Sequence, residues 1–347
     1  MEVIMKNLKV AVLGFGNAGQ AFAKLLIDKK IEILQGMNYG IDVVAITTRS
    51  RGSLVSEKGV DLEKACKDIE ASGKFDKNDK SYSNITSMEV VEKVDYDVLI
   101  ELTPLVIFSG QPAIDHIKKA LKRGKHVITA NKGPIAWAFE ELKELAKKQD
   151  SLFYYETTVM DGTPIFNLVN DTLKFCKVLE INGILNSTTN FVLEELAKGR
   201  LFDEVISEGK KRGFIEADPA MDLEGWDAAA KTAALLNVLM SANITPNDID
   251  RTGIVGISYE DIKEADERGN VIKLLCHGSI KDGKVAGTVK PTEVRKNNLL
   301  ASITGTSSVV SITTDLMGTI SIVEHDPEIE QTAYGIFSDL LRILFKL

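Results

Sequence analysis

The first 155 residues alternate between short apolar runs and longer segments whose apolar residues recur at helical spacing. Runs of this kind are typical of strands buried on both faces. They occur at Lys9–Leu13, Ile41–Thr47, Asp95–Leu102, His126–Ala130 and Leu152–Glu156. Amphipathic helices are predicted between them at Gln20–Ile27, Ala113–Arg123 and Phe139–Lys148. Strands that alternate with helices predict a doubly wound, parallel α/β sheet. The charged segment Lys58–Ser83 is predicted to form helices and a loop over this domain.

Beyond residue 155 the pattern changes. Short β-branched segments at Val178–Leu185, Ser307–Thr313 and Gly318–Val323 predict an antiparallel sheet with one covered face. Helices are expected at Phe191–Ala197, Asp203–Arg212, Trp226–Met240 and Gln331–Phe345. This part of the chain therefore predicts a second, α+β domain.

Composition excludes several classes of protein. The chain has 347 residues, 44% of them hydrophobic and 27% charged, with a formal net charge of -8. An acidic chain without a basic block is a poor partner for nucleic acid or an anionic membrane. Its three cysteines are scattered, which disfavours disulfides and zinc and favours a reducing, cytoplasmic location. The N-terminal pattern predicts no signal peptide, and since no apolar run reaches about 18 residues we expect no membrane span.

A glycine-rich turn follows the first predicted strand. It has the GxGxxG pattern, formed by Gly14, Phe15, Gly16, Asn17, Ala18 and Gly19. Between a strand and a helix, these glycines permit the tight turn, the approach of a pyrophosphate and close packing of helix on strand. The setting favours a Rossmann-type dinucleotide site, and the alternative is a tight turn without a ligand.

The end of the second strand bears on the choice of cofactor. A carboxylate at this point would bind the adenosine ribose of NAD. The chain has Thr47-Thr48-Arg49-Ser50-Arg51 instead, and guanidinium groups suit a 2′-phosphate. We therefore expect NADP in preference to NAD, with Arg49 and Arg51 as candidate ligands. The alternative is that both arginines are ordinary surface charges.

Carbonyl chemistry needs a proton donor, and a lysine is the best candidate. Lys231 follows Asp227 by one helical turn, in an otherwise apolar helix. Glu216, Asp218 and Asp222 come shortly before it, and such a mixture of carboxylates and an ammonium suits a zwitterionic amino acid substrate. The alternative is a plain i,i+4 ion pair. The four histidines are expected to be structural.

A second group of candidates lies where predicted parallel strands end, the edge at which open α/β sheets bind ligands. Thr103 and Pro104 end one strand, and Lys132 follows the next. Pro104 would stop its strand, and the Thr103 hydroxyl could reach the cofactor. The alternative for Lys132 is a charge on a surface loop.

Six motifs in this order and spacing resemble homoserine dehydrogenase. They are the glycine-rich turn, Glu101–Pro104, GKHVITANKGP, YETTVMDGTPI, NGILNSTTNF and GFIEADPAMDLEGWDAAAK. The resemblance implies reversible, NAD(P)-dependent interconversion of L-aspartate 4-semialdehyde and L-homoserine, a step toward threonine, methionine and isoleucine. Alternatives are another Rossmann-fold amino acid oxidoreductase and a dinucleotide-binding sensor without catalysis.

The resemblance also implies roles for single residues. Lys231 matches the proton donor, and Lys132 matches a lysine shared by cofactor and substrate. Asp227 matches the carboxylate beside the reacting hydroxyl, Glu216 and Asp222 match substrate-binding positions, and Gly213 matches a cofactor position. A monovalent cation, commonly Na⁺, is implied at Glu156, Val159, Asp161 and Thr163, mainly through backbone carbonyls.

The resemblance sets the expected domain organisation. Residues 1–155 would bind the dinucleotide, with the C-terminal helix 326–347 returning to them. Residues 156–325 would bind substrate, carry catalysis and form a homodimer. The length matches a short monofunctional form, without the regulatory ACT domain or an aspartate kinase domain.

Overall fold

The computed structural model describes residues 6–212, 215 and 219–347, which form two compact units. Unit 1 contains the chain up to Pro164 together with Glu328–Leu347, and unit 2 is Ile165–Pro327. Among the described residues, no helix combines the length and the apolar character needed to cross a bilayer.

Unit 1 contains a seven-stranded sheet with helices on both faces. Its strands are β1 (Lys6–Leu13), β2 (Tyr39–Thr47), β3 (Ser53–Val55), β4 (Tyr82–Ser83), β5 (Val98–Glu101), β6 (His126–Thr129) and β7 (Phe153–Tyr154). Its helices before residue 164 are α1 (Asn17–Met37), α2 (Leu62–Ser72), α3 (Ser87–Lys93), α4 (Ala113–Lys122) and α5 (Lys132–Lys148).

The strand order places the carboxyl ends of the central strands side by side. The order is β4-β3-β2-β1-β5-β6-β7, with parallel pairing from β2 to β7 and antiparallel pairing of β3 and β4 at one edge. Leu13, the last residue of β1, is in register with Thr47 of β2 and Glu101 of β5. The predicted Rossmann-type sheet is confirmed. The segment 58–83, however, supplies one helix and the edge strand β4, where we expected helices and a loop.

The core of unit 1 follows the two-residue period of its strands. Val10 and Val12 of β1 belong to one apolar cluster, whereas Ala11 and Leu13 belong to another on the opposite face. Both faces are therefore covered, as a parallel sheet requires.

Unit 2 contains the second sheet, which is mainly antiparallel as predicted. Its strands are β8 (Val178–Ile184), β9 (Asp250–Arg251), β10 (Asn270–Lys281), β11 (Lys284–Arg295), β12 (Ser308–Thr314) and β13 (Gly318–Glu324), in the order β13-β12-β8-β10-β11-β9. Its helices are α6 (Phe166–Thr172), α7 (Ser187–Ala197), α8 (Phe202–Arg212), α9 (Ala220–Leu223), α10 (Trp226–Met240) and α11 (Tyr259–Glu267).

The pattern of apolar runs missed the longest hairpin. β10 and β11 pair from Asn270–Arg295 to Lys281–Lys284 around a two-residue turn, Asp282-Gly283. Both turn residues have positive φ, at 50° and 76°. An Asp-Gly pair is a strong signal for such a turn and would have revealed the hairpin.

The last helix, α12 (Ile329–Leu344), belongs to unit 1. Ile336, Leu340 and Ile343 are fully buried in the cluster that also contains Val10, on the face covered by α1. Unit 1 is thus built from two stretches of chain that flank unit 2.

Candidate active site

The glycine-rich turn leaves β1 in a conformation that only glycine tolerates well. Gly14 has φ +98°, and a Cβ at this position would collide with the Leu102 carbonyl oxygen beyond β5. A Cβ on Gly19 would lie 2.8 Å from the Gly14 carbonyl oxygen. The turn therefore sits against the neighbouring strand end, at the point where the strand order reverses.

The space around Gly16 fits a dinucleotide phosphate. A Cβ built on Gly16 meets nothing within 4 Å, and no side chain caps the amino end of α1 there. The first amides of a helix carry partial positive charge and are free to bind an anion. Asn17 and Ala18 start this helix, so the turn offers backbone N–H donors beside an open approach.

The two arginines after β2 occupy different environments. Arg51 donates from Nη1 to the Phe15 carbonyl at 3.1 Å, which fastens the β2 end to the glycine-rich turn. Arg49 is exposed, and within the described ranges no hydrogen bond or ion pair engages it. Arg51 is therefore committed to the turn, whereas Arg49 is the guanidinium available to a phosphate.

A buried carboxylate organises the end of β5. Glu101 is fully buried and accepts hydrogen bonds from both the backbone N–H and the hydroxyl of Thr103. The Thr129 hydroxyl at the end of β6 lies 3.4 Å from its second oxygen. Since the Thr103 hydroxyl gives its proton to Glu101, it can face a ligand only as an acceptor. Pro104 is exposed directly after it.

Lys132 follows the carboxyl end of β6, as predicted, and lies in a helix, which excludes the alternative of a charge on a surface loop. It is the first residue of α5, and the Asn131 side chain caps this helix by accepting from the Gly133 N–H at 2.9 Å. The Asn131 amide donates to the Thr103 carbonyl at 3.0 Å. Lys132, half-buried, and Thr103 are thus tied to one another through Asn131.

Unit 2 brings two of the predicted carboxylates together on one amide. Asn186 is the N-cap of α7, and its side-chain nitrogen donates to Asp222 Oδ1 at 2.7 Å and Asp227 Oδ2 at 3.0 Å. Asn186 and Asp227 are buried, at 6% and 8% exposure. The carboxylates of α9 and α10 therefore meet at the start of α7.

Lys231 extends this group by one turn of α10. Its Nζ donates to the Leu185 carbonyl at 2.7 Å and lies 3.5 Å from Asp227 Oδ2. The side chains of Lys231 and Asp227 are 20% and 12% exposed. The pair is more enclosed than a surface ion pair, and its ammonium is already oriented by a backbone oxygen.

A buried thiol lies close to this group. Cys276 of β10 is buried and lies near Lys231 and Asp227, and burial raises the pKa of its thiol to about 11. The thiol is protonated at neutral pH, so it adds no charge to the site.

Two predicted site residues, Gly213 and Glu216, lie outside the described residues. The segment implied for the cation lies in unit 1, after β7. Glu156 and Val159 are buried, at 2% and 1% exposure, and Asp161 and Thr163 are half-buried. Within the described ranges, no group of three or more His, Cys, Asp and Glu side chains could hold a metal. Glu156 and Asp161 carry hard carboxylate oxygens, the type of donor that an alkali cation prefers.

Sequence reasoning missed Asn186 and did not assign Glu101 a role. Asn186 stands in Asn-Ser-Thr-Thr immediately before an amphipathic segment, which is an N-cap signal. A cap residue alone does not indicate which side chains its free amide nitrogen will meet. Those partners become visible only when α9 and α10 are in place.

Two family profiles match the chain. The homoserine dehydrogenase profile covers residues 164–341, and the profile of the homoserine dehydrogenase NAD binding domain covers residues 14–156. Together they span both units.

Named relatives and solved structures agree with these profiles. The homoserine dehydrogenase of Methanocaldococcus jannaschii is 39% identical over 97% of this chain and 98% of its own length. The NAD(+)-dependent homoserine dehydrogenase of Pseudomonas canavaninivorans is 32% identical over 98% and 97%. A hyperthermophilic archaeal homoserine dehydrogenase in complex with NADPH superposes with a TM-score of 0.84, at 28% identity and 98% coverage of both chains. The structure from Thiobacillus denitrificans gives 0.84 at 28% identity, covering 98% of this chain and 74% of that one. The chain belongs to the homoserine dehydrogenase family of NAD(P)-dependent oxidoreductases.

Proposed function

We propose that this chain interconverts L-aspartate 4-semialdehyde and L-homoserine through Lys231, with Asp227 beside the reacting oxygen. The observation that carries this assignment is the group formed by Asp222, Asp227 and Lys231 in unit 2. Two carboxylates suit the substrate ammonium, and one ammonium suits an oxygen on which negative charge develops. The pathway served would be the synthesis of threonine, methionine and isoleucine.

The nicotinamide, when bound, supplies or takes up the hydride at the carbon that bears the oxygen. In the direction of reduction, the Lys231 ammonium stabilises the developing alkoxide and gives it a proton. In the direction of oxidation, the neutral amine of Lys231 takes the proton from the homoserine hydroxyl. Asp227 holds the ammonium at 3.5 Å, and the Leu185 carbonyl fixes its direction.

The remaining binding roles are assigned as follows. The turn from Gly14 to Gly19 holds the pyrophosphate, and Thr103 with Pro104 borders the nicotinamide. Lys132 serves cofactor and substrate, and Glu216 and Asp222 hold the substrate ammonium. Gly213 is a backbone contact of the cofactor. These roles rest on the match to the family motifs.

We assign NADP as the preferred cofactor. The support is the absence of a carboxylate after β2 and the exposed Arg49 without a partner among the described residues. Arg51 contributes by holding the turn through the Phe15 carbonyl. One relative is named as NAD(+)-dependent and one solved structure holds NADPH, so the family names include both cofactors.

We also propose that unit 1 binds a Na⁺ ion at Glu156, Val159, Asp161 and Thr163. Its support is a buried carboxylate in a segment where Met160 and Asp161 both have positive φ, which turns the backbone sharply. The ion would bind carboxylate and carbonyl oxygens and take no part in hydride transfer.

We also propose a cytoplasmic homodimer. The three cysteines are free thiols, as in a reducing compartment. Glu180, Asn182, His277, Ser311 and Thr313 line one face of the second sheet and are partly exposed, so this face is available to a second copy. Light scattering at micromolar concentration should give twice the 38.0 kDa chain mass, and the chain mass itself would contradict the dimer.

The deciding experiment is oxidation of NADPH or NADH by the purified protein with L-aspartate 4-semialdehyde, followed at 340 nm. The reverse reaction, reduction of NADP⁺ or NAD⁺ with L-homoserine, is followed in the same way. Turnover in both directions is expected. If neither cofactor is turned over in either direction, the proposal is wrong.

A further inference from the structure

Asn186 occupies a position from which one side chain reaches both carboxylates of the site. Its side-chain oxygen, Oδ1, accepts a hydrogen bond from the Thr189 N–H at 2.8 Å, and this bond caps the N-terminus of α7. That bond leaves the amide nitrogen, with two hydrogens, directed away from the helix. The nitrogen lies 2.7 Å from Asp222 Oδ1 and 3.0 Å from Asp227 Oδ2.

The capping bond also fixes which end of the amide faces the carboxylates. If the amide were reversed, its oxygen would face two carboxylate oxygens, and its nitrogen would face a backbone N–H. Both contacts would be repulsive, so the backbone of α7 determines that two donors point toward Asp222 and Asp227.

A donor shared by Asp222 and Asp227 stabilises two carboxylates that lie close together. Like charges in a partly buried site repel each other, and each charged form is favoured by hydrogen bonds that it accepts. Asp227 Oδ2 receives the Asn186 amide at 3.0 Å and lies 3.5 Å from the Lys231 ammonium. Asn186 is neutral, so it can satisfy both carboxylates without neutralising their attraction for a substrate ammonium.

We propose that Asn186 is a positioning residue that holds Asp222 and Asp227 in one substrate-binding arrangement and keeps Asp227 beside Lys231. This inference rests on the proposed function. It assigns to the start of α7 a part in binding the amino acid and in placing the proton donor.

The test uses two substitutions that preserve the helix cap. Ser and Asp are as good at an N-cap as Asn, so N186S and N186D keep α7 while removing the two-hydrogen donor. N298S is the matched control, because Asn298 caps a short 3₁₀ helix by accepting from the Leu300 N–H at 2.9 Å and is exposed. Circular dichroism and the melting temperature establish that each variant is folded.

In N186S we expect kcat/KM for L-homoserine to fall about 10- to 100-fold, since loss of a hydrogen bond to a charged group costs about 1.5–3 kcal/mol. KM for the cofactor should change less than twofold, and N298S should match the wild type. N186D places a third carboxylate beside Asp222 and Asp227, so its kcat/KM for L-homoserine should be lower than that of N186S.

The pH profile separates positioning from a merely structural role. Titratable groups near Asp227 include Asp222, which shares the Asn186 amide, the Lys231 ammonium and the protonated Cys276 thiol. Removing a donor to a carboxylate raises its pKa, so the acid limb of kcat/KM should move to higher pH in N186S and further in N186D. A structural role alone would lower the melting temperature and leave this limb in place.

A readout independent of turnover completes the design. In protein labelled with ¹³C at the aspartate carboxyls, N186S should shift the titration midpoints of Asp222 and Asp227 upward, whereas N298S should not. Wild-type kcat/KM together with unmoved midpoints in N186S would overturn the inference about Asn186. A wild-type protein without turnover, but with shifted midpoints in N186S, would overturn the proposed reaction and leave the arrangement of carboxylates standing.

Discussion

The Lys231 ammonium is held by two oxygens of different character. Leu185 offers a neutral carbonyl at 2.7 Å, and Asp227 offers a charged oxygen at 3.5 Å. The carbonyl fixes the direction of the amine. A fixed direction suits the proposed role of Lys231, in which its proton is transferred to and from the substrate oxygen.

Replacing Lys231 tests its role as proton donor. In K231A we expect kcat to fall about 10²- to 10⁴-fold, the usual contribution of a positioned acid or base. Binding of NADPH, measured by fluorescence, should remain within twofold. K263A is the matched control, since Lys263 forms an exposed i,i+4 pair with Glu267 on α11. Wild-type turnover in K231A would exclude Lys231 as the acid.

Arg49 allows the cofactor preference to be tested. R49A should weaken NADPH binding about 10- to 100-fold, because a hydrogen bond to a charged group contributes about 1.5–3 kcal/mol. NADH binding should barely change. R295A, which removes an exposed arginine from unit 2, should affect neither. Equal losses for NADPH and NADH in R49A would contradict contact with the 2′-phosphate.

At the scale of elements, a buried lysine anchors α7. Lys273 of β10 is 3% exposed and donates to Asn190 Oδ1 at 2.7 Å and the Ile303 carbonyl at 2.6 Å. Glu194 lies 3.4 Å away and accepts from the Gly305 N–H. Burial lowers the pKa of Lys273, and the surrounding oxygens are the partners that keep such a charge tolerable. Since Asn186 begins the same helix, this network fixes the helix that carries the bridging amide.

Removing the Lys273 charge should therefore be costly. K273M removes the cation beside Glu194 and one donor each from Asn190 Oδ1 and the Ile303 carbonyl, and we expect about 3–5 kcal/mol of lost stability in urea unfolding. K284M, at the exposed end of the β10–β11 hairpin, should stay within about 0.5 kcal/mol of the wild type. A K273M protein as stable as K284M would show that the network does not hold α7.

Most elements could be predicted from sequence, whereas several of their ends could not. The five parallel strands of unit 1 were found because burial on both faces leaves apolar runs, whereas the short edge strands β3 and β4 were missed. The helix predicted at Phe139–Lys148 corresponds to the second part of α5, because Ala138 has non-helical backbone angles (φ -145°, ψ 20°) that divide this helix. The first part, which begins at Lys132, was missed because its Asn131 cap leaves no mark in the periodicity of apolar residues. β10 was missed because polar residues such as Lys273, His277 and Ser279 interrupt its apolar residues. The burial of Lys273 could not be foreseen, because its partners come from distant parts of the chain.

The sequence predicted which residue types form the site, but not which of their side chains hydrogen-bond to one another. The nearness of Asp227 and Lys231 follows from helical spacing and is seen in the structure. The convergence of Asp222 with Asp227 depends on the bend between α9 and α10, where Gly225 has φ +81°. The Asn186 amide contacts Asp222 and Asp227, which lie 36 and 41 positions later in the chain. A local sequence pattern does not encode contacts over such separations.

On the scale of the whole molecule, unit 1 depends on residues from both sides of unit 2. α12 covers α1 and contributes Ile336, Leu340 and Ile343 to the core beside the cofactor sheet. Leu340 is fully buried and Leu347 is half exposed. The stability of unit 1 therefore depends partly on residues that follow unit 2 in the sequence.

Truncating one side chain in α12 tests this dependence. L340A should cost about 2–5 kcal/mol, the usual range for a buried leucine. The loss should appear as easier unfolding of unit 1, reported by hydrogen exchange of β1 and β5 amides. L347A should leave both exchange and melting temperature unchanged. Unaltered protection of β1 in L340A would mean that α12 does not support the sheet.

The return of α12 to unit 1 has a consequence for the growing chain on the ribosome. Every residue of unit 2 is synthesised before Glu328, so unit 2 can fold while unit 1 still lacks a helix. During that interval the apolar face of α1 that will receive Ile336 and Leu340 has no cover from α12. The order of synthesis therefore completes unit 1 only after all of unit 2 has been made, although β1 precedes unit 2 in the chain.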